Sequence, residues 1–129
     1  MSFNGFSLIE MMIAISIISI LSAIGFPSYM SYITDSRRTE ASTFLLEAMQ
    51  KQERYFTKHS EYTTRLSKLN YSSDAVITDS GYYRITTAAC TPTPCVKLIA
   101  TPRGVQAARD NNRVLTLDSL GRRSGDWND

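Results

Sequence analysis

Few residues in this chain have the surroundings that chemistry needs. Glu10 is the first. It closes the segment Phe6-Ser7-Leu8-Ile9-Glu10, and no charged side chain follows it from residue 11 to residue 34. A carboxylate in such a setting is costly to hold ionised. Three states relieve the cost: a position at headgroup level, a neutral carboxyl, or a cation supplied by another molecule. The residues alone leave all three open. Cys90 and Cys95 are the only cysteines, with four residues between them. In an exported head they would form a disulfide closing a short loop.

Catalytic chemistry lacks its parts. His59 is the one histidine. It lies between Lys58 and Ser60 at an expected helix end, where a solvated imidazole suits the helix dipole. A nucleophile needs an oriented base, and neither Glu61 nor Asp74 has an obvious second acid beside it. No HExxH, GxSxG, phosphate-loop or dinucleotide fingerprint occurs. The cysteine spacing is wrong for a CxxC redox pair. A structural zinc site wants about four ligands, and Cys90, Cys95 and His59 are three. The expectation is a chain with no catalytic residues, no metal and no cofactor.

The chain is mildly basic, with 14 Lys and Arg against 12 Asp and Glu. That balance does not by itself imply a nucleic-acid partner. Arg103, Arg109, Arg113, Arg122 and Arg123 cluster late in the chain, interleaved with Asp110, Asp118 and Asp126. They are either ordinary surface charge or an exposed stripe for DNA. Steep salt dependence would mark the stripe. Asp126 and Asp129 offer thin support for a calcium site.

The elements that must carry these residues begin with a helix. Residues 11–34 would span roughly 36 Å as a helix, against about 30 Å of bilayer hydrocarbon. A cleaved secretory signal fits less well, because no basic residue precedes Arg37 and the apolar run is long. Pro27, with Gly25, predicts a kink. Beyond it, Ala41, Phe44, Leu45, Ala48, Met49, Tyr55 and Phe56 recur at three and four, with Gln52 in one slot. Arg38, Glu47, Lys51, Arg54 and Lys58 take the opposite face. Residues 6–57 in one helix would measure roughly 78 Å, more than a small head can cover.

The helix stripe needs a sheet to pack on. Residues 82–87, 96–101 and 113–118 read as strands, with a short fourth at 75–78. Cys90 to Cys95 encloses Thr91-Pro92-Thr93-Pro94 and reads as a tied connection between two strands. Residues 58–74 read as a crossover whose Tyr62, Leu66, Leu69 and Tyr71 plug the head. Residues 106–112 form a loop or one helical turn, residues 120–123 a turn, and Trp127 folds back on the sheet edge. The fold class is α+β: a long N-terminal helix, kinked near Pro27, on an antiparallel sheet of three to four strands.

Gly5-Phe6-Ser7-Leu8-Ile9-Glu10, followed by Met11-Met12-Ile13-Ala14-Ile15, resembles the N-terminal signal of type IV pilins and pseudopilins. Residues 50–69, Gly81-Tyr82-Tyr83-Arg84-Ile85, residues 115–121 and Trp127 resemble the minor pilins required for pilus biogenesis. The resemblance implies cleavage by a prepilin peptidase between Gly5 and Phe6, and N-methylation of Phe6. It implies that Glu10 and Pro27 are the family's assembly acid and stem proline. Residues 1–4 carry no Lys or Arg, unlike the family's leaders, and the cysteines sit mid-head rather than around a C-terminal loop.

The resulting organisation is a leader at 1–5, a membrane and polymerisation helix at 6–34, and an amphipathic helix half plus head at 35–129. The implied partners are the peptidase, major and minor pilins, an assembly platform and the lipid bilayer before assembly. Nucleic acid stays uncertain. The implied place is the bacterial inner membrane, single-pass with a periplasmic head, then the pilus surface. Arg37 and Arg38 after the span argue for the reverse orientation by the positive-inside rule, whereas the cysteines argue for export. The expected function is a minor pilin that initiates or promotes pilus assembly. The alternatives are a type II secretion pseudopilin and a DNA-uptake minor pilin.

Overall fold

The computed structural model describes residues 5–127. The chain divides into two compact units, Met1–Ile33 and Thr34–Asp129. Residues 1–4 of the expected leader and Asp129 of the calcium alternative lie outside the described residues.

Helix α1, Leu8–His59, contributes to both units, with Pro27 inside it. In the first unit every residue from 5 to 29 is exposed. Phe6 is 79% and Ile24 71% accessible, so no protein surface covers the apolar side chains. The helix satisfies its own hydroxyls: Ser16 Oγ and Ser19 Oγ each donate to the carbonyl four residues back, at 2.8 Å. That leaves these serines compatible with hydrocarbon.

The second unit has its own core. Thr34, Ala41, Leu45, Ala48 and Gln52 are the buried positions of α1, recurring at three, four and seven. Ala41 and Ala48 keep the helix backbone close to its partner layer. That layer is an antiparallel sheet of β1 (Val76–Ile77), β2 (Tyr83–Ala89), β3 (Val96–Pro102), β4 (Leu115–Asp118) and β5 (Arg123–Ser124), in sequential order. Ile85, Leu98, Ala100, Leu115 and Leu117 face the helix, and a 3₁₀ turn, Leu66–Leu69, closes the core with both its leucines. Each fully buried Leu or Ile stabilises by about 1.5–3 kcal/mol. Helix α2, Gly104–Arg109, joins β3 to β4.

The strand expectations correspond to β1 to β4, and the crossover leucines are in the core. The sheet has five strands rather than three or four. The difference is at residues 120–123, read as a turn alone. Asp118 Oδ1 accepts from the Leu120 and Arg122 amides at 3.0 and 2.9 Å. Gly121, at φ +80°, completes the reversal that a side chain would strain. The chain then returns beside β4, pairing Leu117 with Arg123 and Thr116 with Ser124.

Candidate functional site

The residues expected to drive assembly all belong to the first unit. Gly5 and Phe6 precede α1 and are exposed. Glu10 lies in the first turn of α1, where an acid suits the helix dipole. It is exposed and makes no ion pair among the described residues. The geometry is an apolar helical surface interrupted by one carboxylate near its start. Such a surface can enter lipid or pack among like helices, and the carboxylate can accept one cation from a neighbour.

Cys90 and Cys95 are joined, with Cα atoms 5.0 Å apart, at the link between β2 and β3. Arg122 Nη2 donates to the Thr91 carbonyl at 3.1 Å, tying that link to the β4–β5 turn. Asp118 lies close enough to both sulfurs to suggest a metal cluster. Paired sulfurs offer no thiolate, however, and its carboxylate accepts from Arg122 Nε at 2.6 Å.

The late arginines do not share one environment. Arg122 pairs with the buried Asp118, and Arg113 pairs with Asp126. The Arg123 guanidinium lies 4.7 Å from the Trp127 ring centroid. Arg103 precedes α2 and Arg109 ends it, both exposed. Burial disfavours the charged form of Asp118, but hydrogen bonds from Arg122 and the turn amides outweigh it and hold the carboxyl below its ordinary value.

A second polar cluster forms around Asp110, from residues far apart in the sequence. Asp110 accepts from Arg38 Nη2 at 2.5 Å, from the Tyr83 hydroxyl at 2.7 Å and from Gln106 Nε2 at 2.6 Å. Gln106 Nε2 also lies 3.1 Å from the Thr34 carbonyl, so two acceptors fix the orientation of its amide. Burial opposes the charge on Asp110, yet these donors bring its pKa below the ordinary value. Burial and the Asp110 hydrogen bond push the Tyr83 hydroxyl up to about 12. Arg38 was expected on the solvent face. Its side chain is 12% exposed because Asp110 waits for it inside. The signal was present: 34, 38, 41, 45, 48 and 52 form one continuous stripe.

Gln52 fills its slot by a double hydrogen bond to the Thr63 backbone. Its Nε2 donates to the Thr63 carbonyl at 2.6 Å, and its Oε1 accepts from the Thr63 amide at 3.1 Å. The crossover is thereby locked to α1.

An exposed apolar helix continuing into a helix-on-meander head is the architecture of a pilin, and similarity places it further. Residues 1–26 match the prokaryotic N-terminal methylation motif. Residues 27–113 match the family described as type IV minor pilin ComP, DNA uptake sequence receptor. The chain belongs to this family of type IV minor pilins. The type IV major pilin protein PilA of Myxococcus xanthus is 25% identical over 97% of this chain, which spans 62% of that relative's length. The type IV major alpha-pilin of Moraxella bovis is 55% identical over 30% of this chain and 24% of its own. A solved type IV pilin from Shewanella oneidensis shares the fold, with a TM-score of 0.53 at 23% identity, covering 70% of this chain and 89% of that one.

Proposed function

We propose that this minor pilin primes or promotes pilus assembly. A prepilin peptidase cuts between Gly5 and Phe6, and the helix holds the subunit in the inner membrane with its head in the periplasm until it enters the filament. The observation that carries this reading is the first unit's uncovered apolar surface with Glu10 as its acid. Cleavage creates an ammonium on Phe6. In a bundle of stems, the Glu10 carboxylate of one copy meets the ammonium of the next. Apolar flanks alone would let helices slide, whereas an unmatched charge in an apolar setting is penalised, so the pair sets register. Mass spectrometry of sheared filaments tests the assignment. Low stoichiometry beside an abundant major pilin supports it. Absence from filaments, with recovery among secretion-system proteins, would favour the pseudopilin alternative.

A second reading is a head that binds DNA during uptake. The family description favours it, and the exposed Arg103 and Arg109 are available for phosphate contacts. Salt-dependent binding of labelled DNA by the full chain is its test.

A further inference from the structure

The chain has seven tyrosines, and the five in the head each have a partner. Tyr55 stacks on His59, and Tyr71 lies against Phe44. Tyr82 lies beneath the Arg37 guanidinium, and the hydroxyls of Tyr62 and Tyr83 donate to Glu53 and Asp110. Tyr29 and Tyr32 differ. Both belong to the first unit, and both are uncovered, at 62% and 72% exposed. Neither has a ring contact or a hydroxyl hydrogen bond among the described residues. They are three residues apart on α1, so their side chains leave one face of the helix together.

A tyrosine has an apolar body and a polar tip. It is best placed where hydrocarbon meets water, with the ring buried and the hydroxyl among headgroups. The composition of α1 changes at this point. Ser28-Tyr29-Met30-Ser31-Tyr32 brings four hydroxyls in five residues, against three in the seventeen residues 11–27. The spacing to the other end of the apolar run fits a bilayer. Tyr29 lies 19 residues after Glu10 and Tyr32 lies 22 after it, about 29 and 33 Å of helix. Bilayer hydrocarbon is about 30 Å thick. No charged side chain lies between Glu10 and Asp35, so no charge within the interval fixes the depth of the helix.

We propose that Tyr29 and Tyr32 anchor the unassembled subunit at one headgroup layer and thereby hold Glu10 at the other. The inference rests on the reading of the helix as membrane-held before assembly. For that stage it selects one way of relieving the cost of the Glu10 carboxylate: headgroups and water surround it, and no neutralising partner is required. The cation of a neighbouring stem is needed only once the subunit leaves the lipid.

Depth-dependent quenching tests it, with the full chain at high dilution in phosphatidylcholine vesicles. Trp127→Phe removes the native tryptophan, and Tyr32→Trp or Ile20→Trp supplies a single reporter. Tryptophan keeps the interfacial preference of tyrosine. The vesicles carry a nitroxide either at the headgroup or deep in the acyl chains. The shallow nitroxide should quench residue 32 at least about threefold more than the deep one, and the order should reverse at residue 20. Tyr29→Leu/Tyr32→Leu, read by the residue-20 reporter, should let the helix slide until Asp35 meets the boundary. That moves the reporter by up to about 4.5 Å, three residues of rise. Quenching of neither reporter would overturn the membrane-held reading itself. Deep quenching of residue 20 with residue 32 unquenched would retain that reading, put the tyrosines in water or against another stem, and overturn the anchor. An unmoved reporter in the leucine pair would overturn it too, since the rings would then follow the depth of the helix without setting it.

Discussion

Arg38 Nη2 lies 2.5 Å from Asp110 Oδ1, joining residues 72 positions apart. The Asp110 side chain is 1% exposed, so the pair is a buried ionic contact with Tyr83 and Gln106 completing the carboxylate's partners. It fastens α1 to the segment that follows α2.

Asp110→Asn is expected to destabilise the head by about 3 kcal/mol at neutral pH, because it leaves Arg38 without its buried counter-charge. The pH dependence has a definite sign. The folded carboxyl titrates below its ordinary value. Its contribution is therefore full above about pH 3.9 and is lost as pH falls from there through the folded value. Urea melts at pH 7 and pH 3 should show wild type losing more stability than the variant.

At the alkaline end Tyr83 governs. Its pKa is raised to about 12 in the folded head, against about 10 in an unfolded chain. Its contribution is full below pH 10 and disappears as pH rises through 12. Tyr83→Phe should flatten the decline measured by denaturant titration between those values.

Gln52→Leu conserves volume approximately but leaves the Thr63 amide and carbonyl without partners in a buried site. The expected cost is about 2–4 kcal/mol. Hydrogen exchange should locate the loss at residues 60–65 before it spreads to the sheet.

Gly125 is at φ +99°, and a Cβ there would meet the Val114 carbonyl oxygen at 2.5 Å. Gly125→Ala should cost about 2 kcal/mol or more. Trp127 is the only tryptophan, and its ring packs against the core. Its fluorescence should shift to the red as the C-terminal segment lifts.

Glu10→Leu should insert into membranes normally, since it removes a charge from an apolar helix. Its incorporation into pili is expected to fall by about tenfold or more, the equivalent of losing one matched pair of about 1.4 kcal/mol. Immunoblots of membrane and sheared-filament fractions separate the two effects. Normal recovery in filaments would remove the role given to this carboxylate.

Local rules carried much of the fold. The apolar run and the 41–45–48–52 spacing define α1, and the alternation in residues 82–87 and 96–101 defines β2 and β3. What escaped depends on partners distant in the chain. Arg38 looked like a surface residue because charge outweighs position when its counter-ion is unknown. Strand β5 is two residues long and exists because Asp118 folds the chain back, so periodicity had nothing to register. Among the candidate site residues, the cysteines announced their pairing by type and context. The cluster around Asp110 did not, since Arg38, Tyr83 and Gln106 reach it only after the head has packed.

The sheet's two outermost strands, β1 and β5, are two residues each. A short border offers few vacant amides and carbonyls to another chain. Many copies crowded side by side thus have little means of zipping sheet to sheet. Contacts between heads are left to side chains, which can differ from subunit to subunit while the backbone stays indifferent to its neighbours.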